Sequence, residues 1–362
     1  MGSDTPIISV IVTAYNRKQY LPHALRSLEM QTLPKDRFEV IVVKNFEGRE
    51  SDEIIRRNGW KNIVTDVVPL GGKIAIGLEE ASGDIITFLE DDDMYREDRL
   101  SHVKELFSAT PGLRYFHNEQ EVIDEAGRSL GYHGSPHSDL TLRLPPSELA
   151  CWLTLVKPGG FHNNSSIAVR REVLDDSLAL IRSMSASVDL AVMAAALKET
   201  EGLMLLSGLP LTYWRVHRSA TTPHLYSTRS GDMASSLRAL ARTYYLWALD
   251  AHLVKSYLAG TTCERYAEHL EAYKAVEVAS MPSWAPGLRL TVMLCRGLRQ
   301  ASRLRRLGSV SARNYLVMVA DSFMSKAPDR LRELYWRARW LARRQTIKEG
   351  REEMRLRSRL TG

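Results

Sequence analysis

The chain has 362 residues, of which 44% are hydrophobic, enough for one substantial core and a second, smaller one. No apolar run reaches the roughly 18 residues that a membrane-spanning helix needs, and the N-terminus lacks the pattern of a signal peptide. Three widely spaced cysteines, Cys151, Cys263 and Cys295, predict neither a disulfide framework nor a zinc site, and we expect a reducing compartment.

The net charge of +6 is unevenly distributed along the chain. Residues 281–362 contain 19 Lys and Arg against 6 Asp and Glu, which leaves 30 basic and 37 acidic residues before them. This division predicts that the two parts of the chain meet different partners.

Strand and helix signals alternate in the first part of the chain. Nearly continuous apolar runs predict strands buried on both faces of a parallel sheet, at residues 8–15, 38–45, 62–68 and 84–90. Helical spacing between the runs, as in Leu21, Leu25 and Leu28, predicts helices on both sides of that sheet. We therefore expect an α/β fold with a mostly parallel sheet.

Four consecutive acids, Glu90, Asp91, Asp92 and Asp93, follow the fourth predicted strand. Ligands of such sheets bind beyond the carboxyl ends of the strands, so the acids stand where a site is expected. Their mutual repulsion indicates that a cation sits there. An acid-rich helix N-terminus is the alternative, although one or two acids would suffice for that role.

Three segments, taken in order and spacing, carry a resemblance: "SVIVTAYNR" (9–17), "VIVVKN" (40–45) and "GDIITFLEDDDMYREDRL" (83–100). Together they resemble the nucleotide-binding half of inverting GT-A glycosyltransferases of family 2, and the acid stretch is similar to that of bacterial spore-coat members. The resemblance covers about the first 110 residues closely and continues weakly to about residue 225. It implies a Rossmann-like GT-A catalytic domain over residues 1–230, a nucleotide diphosphate sugar as donor, and Mn²⁺ or Mg²⁺.

The resemblance also implies roles for the acids. Asp92 should bind the metal and Asp91 the ribose, while Glu90 or Asp93 should support them, with Glu90 on the sugar side. Hard oxygen ligands suit both proposed metals, and such a cation would offset the charge of the departing diphosphate.

The ends of the other strands should contact the nucleotide. By the resemblance, Thr13, Ala14 and Tyr15 lie beside the base and Arg17 lies near the phosphates. Core packing of Tyr15 is the alternative.

After the second strand the family has two Asp residues, whereas this chain has Lys44 and Asn45. An amide can still bind a base edge, but uracil recognition is put in doubt and guanine is left open. Lys73 is a candidate phosphate or base contact, and the neighbouring Gly71 and Gly72 permit close backbone approach.

The second half of this domain should hold the sugar, the acceptor and the base. The segment 157–170 presents His162, Asn163 and Asn164 as candidate sugar or acceptor contacts, or simply as turn formers. Asp189 precedes a long apolar helix and should deprotonate the acceptor hydroxyl. It is either that base or only a helix-start acid, because Ser187 and Ala195 stand near where the family has its acidic pair and a downstream Arg.

The segment 209–222 resembles the family's Tyr-Arg-x-His stretch. His217 is accordingly a candidate second metal ligand, although an isolated His is usually structural. Arg215 or Arg218 should clamp the phosphates.

Residues 231–362 are predicted to be helical, and residues 281–362 to form basic amphipathic helices. The segment 330–348 combines Leu334, Trp336, Trp340 and Leu341 with seven basic residues. We favour an anionic membrane surface as the partner, over nucleic acid and over ordinary packing against the first domain.

These features predict a metal-dependent inverting glycosyltransferase, peripheral on the cytoplasmic face of a membrane. The preferred donor is GDP-mannose and the preferred acceptor is lipid-linked, because the "KNFEG" and "LGGK" variants resemble archaeal lipid-directed mannosyltransferases. The alternatives are a UDP-sugar donor, or a protein that binds sugar nucleotides or nucleic acid and has lost its transferase site.

Overall fold

The computed structural model describes residues 8–132, 139–148, 150–151, 162–217 and 233–280, together with 316, 319–320, 324, 327–328, 330–336 and 338. The described residues form two compact units. The first unit takes those up to residue 122, those at 132–215 and those at 256–263. The second unit takes 123–131, 216–255 and the described residues from 264 onward.

A parallel sheet forms the first half of the first unit. Its strands are β1 (Ile8–Ala14), β2 (Phe38–Lys44), β3 (Lys61–Val64) and β4 (Ile85–Glu90). They lie in the order β3-β2-β1-β4 with all neighbours parallel. The helices between them are α1 (Leu21–Glu29), α2 (Arg49–Arg57) and α3 (Leu70–Glu80). The fold class predicted from the apolar runs is therefore confirmed.

The second half of this unit continues the sheet with antiparallel strands. Those strands are β5 (Met94–Tyr95), β6 (Leu113–Ile123), β8 (Leu140–Leu144), β9 (Ile167–Arg170) and β10 (Gly202–Arg215). A further strand, β7 (Ser129–Tyr132), follows β6 in the chain. From β4 the order runs β9-β6-β10-β5, and β8 pairs with β10. The helices here are α4 (Arg99–Ala109), α5 (Arg171–Asp175), α6 (Leu178–Ser183) and α7 (Val188–Lys198).

The third strand is shorter than predicted. The apolar run indicated 62–68, but β3 ends at Val64, and Val64 and Val68 are exposed. β3 is the last strand of the parallel half and has a sheet partner on one side only. An apolar run at such an edge is not held in a strand by flanking strands on both sides.

Cys151 and Cys263 form a disulfide, although they are 112 residues apart in sequence. Both belong to the first unit. The prediction of no disulfide was wrong, because an odd number of distant cysteines gives no pairing signal. The cysteine count consequently no longer supports a reducing compartment.

The second unit contains α9 (Glu264–Ser280) and most of α8 (Met233–Tyr257). The last two residues of α8 belong to the first unit. Trp336 is buried in this unit and packs edge-on against Tyr244, with 5.9 Å between the two ring centroids. Its predicted role at a membrane surface was therefore wrong, since a buried ring offers no face to lipid. Trp340, Leu341 and most of residues 281–362 lie outside the described residues.

Helical character in the second part is confirmed where the structure describes it. The predicted domain boundary at residue 230 lies outside the described residues and stays a prediction. Among the described helices, none is both long enough and apolar enough to cross a bilayer.

Gly71 marks the place where α3 approaches α6. Its backbone N–H donates to the carbonyl oxygen of Met184 at 3.1 Å. A Cβ at this position would lie 1.9 Å from the carbonyl oxygen of Ile181. Only glycine therefore fits without moving the backbone.

We expect Gly71→Ala to lower the free energy of unfolding by about 1–3 kcal/mol, because the added methyl group meets backbone atoms. Helix propensity alone would have the opposite sign, since Ala exceeds Gly by about 1 kcal/mol inside a helix. Urea unfolding measures the change. Gly112→Ala is the control, since a Cβ there meets no atom within 4 Å. A Gly71→Ala protein as stable as the wild type would contradict the packing.

Candidate active site

The four acids form a buried turn directly after β4, which we call the acid turn (Glu90–Asp93). Glu90 is the last residue of β4 and lies opposite Thr13 of β1. Asp91, Asp92 and Asp93 are all buried. Helix α4 begins only at Arg99, after β5. The alternative that these acids start a helix was therefore wrong.

Three carboxylates of the acid turn converge. Glu90, Asp92 and Asp93 each offer an oxygen, and these oxygens lie within 4.8 Å of one another. Burial raises the pKa of Glu90 and, well above its usual range, that of Asp93, and the charge of Asp92 raises both further. Buried carboxylate oxygens in such a group match the ligands of Mg²⁺ and Mn²⁺.

Asp93 connects the acid turn to two distant segments. It accepts hydrogen bonds from the Asn163 side-chain amide at 2.9 Å and from the Ser165 hydroxyl at 2.7 Å. The backbone N–H of Arg215, at the end of β10, donates to it at 3.0 Å. Asn164 donates to Glu90 at 2.7 Å. The 163–165 segment is therefore more than a turn, because its side chains hold the acids in place.

Arg17 lies on the other side of the acid turn. Its guanidinium forms ion pairs with Asp91 and with Asp92, the second at 2.6 Å. Burial alone would lower the pKa of Arg17, but the charges of Asp92 and Asp91 outweigh it and raise that pKa. The backbone N–H of Tyr15 also donates to Asp91, at 3.1 Å. Burial raises the pKa of Asp91 to about 7, although the charge of Arg17 acts in the opposite direction.

A pair of asparagines shapes the turn that carries Arg17. Asn16 has a φ of 59°, in the left-handed region that Asn tolerates better than most residues. Its backbone N–H and its side-chain oxygen both bond the Asn45 side chain, each at 2.9 Å. Asn45 thus fixes the turn.

Lys44 faces away from this turn. Its ammonium group is buried, lies 2.9 Å from Asp52 and donates to the carbonyl oxygen of Phe46 at 2.7 Å. The position that carries an acid in the family therefore holds a structural cation here.

Tyr15 and Lys73 lie together near the end of β1. The ammonium of Lys73 is 4.7 Å from the centroid of the Tyr15 ring and donates to the carbonyl oxygen of Val68 at 2.6 Å. Burial lowers the pKa of Lys73 to about 8. Tyr15 is 36% exposed, so the alternative that it packs in the core was wrong. Thr13 and Ala14, the end of β1, are buried beside it.

Asp189 lies in the first turn of α7. It accepts hydrogen bonds from the backbone N–H groups of Asn163, at 3.1 Å, and Leu190, at 2.8 Å. Since Asn163 also bonds Asp93, one residue links Asp189 to the acid turn. Its place in the first turn of α7 is also that of a helix-start acid, so both interpretations of Asp189 stay open.

Arg215 is tied to the acid turn through its backbone and its side chain. Its Nε donates to the carbonyl oxygen of Asp92 at 2.9 Å. His217 is buried in the second unit, and its predicted role as a metal ligand stays a prediction. Arg218 lies outside the described residues.

His162 is exposed. Its backbone carbonyl oxygen lies within hydrogen-bond distance of two buried polar residues of β6. Gln120 donates to it at 3.0 Å, and the His117 ring nitrogen lies 2.9 Å from it. Sequence reasoning missed both residues. The available signal was the polar run "HNEQ" (117–120), which lies between the apolar pairs "YF" (115–116) and "VI" (122–123) of one strand.

Residues 9–174 match the family model described as Glycosyl transferase family 2. Protein CgeD of Bacillus subtilis is 27% identical over 139 residues, which are 34% of this chain and 32% of that protein. An uncharacterized glycosyltransferase of Haemophilus influenzae is 24% identical over 241 residues, which are 64% of this chain and 76% of the relative. The match thus spans only about a third of CgeD.

The crystal structure of residues 1–349 of S. aureus TarS has a similar fold, with a TM-score of 0.55 at 17% identity and 91% of each chain covered. The family match, the strand order and the acid turn after β4 agree with one another. Residues 9–174 are therefore similar to the domain of glycosyltransferase family 2, and the strand order agrees with a GT-A fold.

Proposed function

We propose that this chain is a metal-dependent inverting glycosyltransferase that moves a sugar from a nucleotide diphosphate donor to an acceptor hydroxyl. The observation that carries the proposal is the acid turn, whose Glu90, Asp92 and Asp93 converge at the carboxyl end of β4 within a family 2 domain. That edge of an open α/β sheet is where ligands bind.

Asp92 would hold Mn²⁺ or Mg²⁺. The residues fit such an ion, because oxygens of Glu90 and of the buried Asp92 and Asp93 lie within 4.8 Å of one another, and a cation offsets the repulsion between carboxylates. When bound, the ion offsets the negative charge that develops on the departing diphosphate.

The donor would lie along the ends of β1 and β4. Asp91 would bind the ribose, and Thr13, Ala14 and Tyr15 would lie beside the base. Lys73 and Arg215, with Arg218, would oppose the phosphates. The cation–ring contact between Lys73 and the partly exposed Tyr15 supports this arrangement.

Asp189 would take the proton from the acceptor hydroxyl as that oxygen attacks the anomeric carbon. A single displacement on the face opposite the departing diphosphate inverts the configuration. The hydrogen bond from Asn163 to Asp189 and the bond from Asn163 to Asp93 support a base held near the acid turn.

GDP-mannose remains the proposed donor, and mannose is the sugar that would be transferred. A UDP-sugar is the second candidate, favoured by a relative: the S. aureus poly(ribitol-phosphate) β-N-acetylglucosaminyltransferase TarS is 30% identical over 98 residues, which are 25% of this chain and 17% of TarS. TarS 1–349 has also been solved with UDP. Lys44 and Asn45, at the positions where the family has acids, leave guanine open, and Lys44 pairs with Asp52.

We also propose a lipid-linked acceptor at an anionic membrane surface, on its cytoplasmic face. The 19 basic residues within residues 281–362 support this surface. Leu331 and Leu334 are exposed and offer apolar contacts in place of the buried Trp336.

A sugar-nucleotide-binding or nucleic-acid-binding protein without transferase activity is the alternative from another class, suggested by Lys44 and Ser187 at positions where the family has acids. Nucleotide release from donors in the presence of Mn²⁺ distinguishes the two, since a binding protein would release none.

Asp92→Asn removes the charge of the proposed ligand and keeps its size, so the stabilisation that Mn²⁺ adds to nucleotide binding should disappear. At 100 times the dissociation constant, that stabilisation is worth about 2.7 kcal/mol. Thermal unfolding with UDP and GDP, with and without Mn²⁺, measures it. Asp98→Asn is the control, because Asp98 pairs with Arg96 outside the acid turn. Undiminished Mn²⁺-dependent stabilisation in Asp92→Asn would refute the ligand role.

Asp189→Asn keeps the size of the side chain and one oxygen, which can accept from one of the two backbone N–H donors, and removes the proton acceptor. Sugar transfer should fall by roughly 100-fold or more, while the dissociation constant of the donor stays near the wild-type value. Steady-state transfer and donor titrations separate the two effects. Asp175→Asn, at the exposed end of α5, is the matched control. Near-normal transfer would assign the base to another acid.

Full-length protein should sediment with anionic liposomes more than with neutral ones, and the bound fraction should fall as salt rises. Each Lys or Arg near the surface contributes about 1 kcal/mol, and salt screens that attraction. Exposed leucines should leave a residual that salt does not remove. Equal binding to both liposomes, or tighter binding to RNA or DNA, would contradict the membrane proposal.

A further inference from the structure

Arg17 occupies the carboxylates that the proposed function assigns to the donor complex. Its side chain is only 14% exposed, and its guanidinium forms an ion pair with Asp91 and lies 2.6 Å from Asp92. A divalent cation on Asp92 would bring a second positive charge to the same carboxylate. Because like charges at such distances repel strongly in a buried site, the two cannot share Asp92 at low cost.

The attachments of Arg17 differ from those of the other arginine at the site. Among the described residues, the hydrogen bonds and ion pairs of the Arg17 guanidinium all go to the two carboxylates, and its buried Nε has no hydrogen-bond partner. Arg215 instead donates from Nε to the Asp92 carbonyl oxygen, and its backbone N–H bonds Asp93. The Arg215 side chain is therefore held by a backbone carbonyl group. The Arg17 guanidinium is held only by side chains, so rotation of the Arg17 side chain can release it.

The turn around Arg17 has contacts that do not involve its guanidinium. Asn16 is held in its left-handed conformation by two bonds to Asn45, and the backbone N–H of Tyr15 bonds Asp91. The guanidinium can therefore leave the acid turn while the backbone that carries it keeps its position.

We propose that Arg17 is an internal counter-cation of the acid turn, displaced when a divalent ion and a nucleoside diphosphate bind together. This inference rests on the proposed function and adds an order to it. The ion alone binds weakly, because it must expel Arg17 from Asp92 into a site with no new partner for that guanidinium. A diphosphate provides the partner, since guanidinium groups pair readily with phosphate oxygens. Ion and nucleotide then raise each other's affinity.

The test is a Mn²⁺ titration without nucleotide, followed by the electron paramagnetic resonance signal of free Mn²⁺. Arg17→Met removes the competing charge and keeps an apolar stem, so it should bind Mn²⁺ roughly tenfold or more tightly than the wild type. Arg17→Lys keeps the charge and should stay closer to the wild type. Arg96→Met is the matched control, because it removes a nearby charge that pairs with Asp98 instead of the acid turn.

A second titration contains saturating UDP or GDP. The nucleotide should tighten Mn²⁺ binding more in the wild type than in Arg17→Met, because only the wild type has an internal cation to relocate. Circular dichroism verifies the fold, and Arg17→Gln replaces Arg17→Met if the latter does not fold.

Equal or weaker Mn²⁺ binding by Arg17→Met without nucleotide would overturn the exchange, and so would equal tightening by Arg96→Met. If either of these results is found while Mn²⁺ still binds in the presence of nucleotide, the exchange is refuted and the metal-dependent function stands. Absence of Mn²⁺ binding in every protein, even with nucleotide, would overturn both.

Discussion

The site depends on one electrostatic constraint, the crowding of four consecutive carboxylates at the end of β4, three of them on buried residues. Carboxylates removed from water repel one another and must be protonated, hydrogen-bonded or paired with a cation. The site has features that favour each of these responses. The pKa values of Glu90 and Asp93 are raised, Asn163 and Asn164 donate to these acids, and Arg17 pairs with their neighbours.

The same constraint joins segments that are distant in sequence. Asp93 receives donors from the 163–165 segment and from the end of β10, so the antiparallel half of the sheet is fastened to the end of the parallel half. Asn163 carries the connection on to Asp189. A proposed base and a proposed metal site, 97 residues apart for Asp92 and Asp189, are therefore positioned by one short polar network.

Much of this arrangement is predictable from sequence because it follows from local pattern. Buried parallel strands appear as apolar runs, and the edge of the sheet where their carboxyl ends meet locates the acid turn. The remainder depends on contacts between distant residues. The ion pairs of Arg17 require a left-handed Asn16, and the disulfide joins Cys151 to Cys263 across 112 residues. Neither leaves a periodic signal. Trp336 shows a further limit, because helical amphipathicity does not tell a face that meets lipid from one buried against Tyr244.

The central claim is that the acid turn holds a divalent ion together with the donor diphosphate. Co-crystals grown with Mn²⁺ and either UDP or GDP, measured at the manganese absorption edge, test it directly. The account predicts one anomalous peak in contact with Asp92 and with the diphosphate, with the Arg17 guanidinium moved from Asp92 to a phosphate oxygen. Nucleotide bound at the ends of β1 and β4 with no manganese at Asp92, or manganese bound only elsewhere, would contradict it.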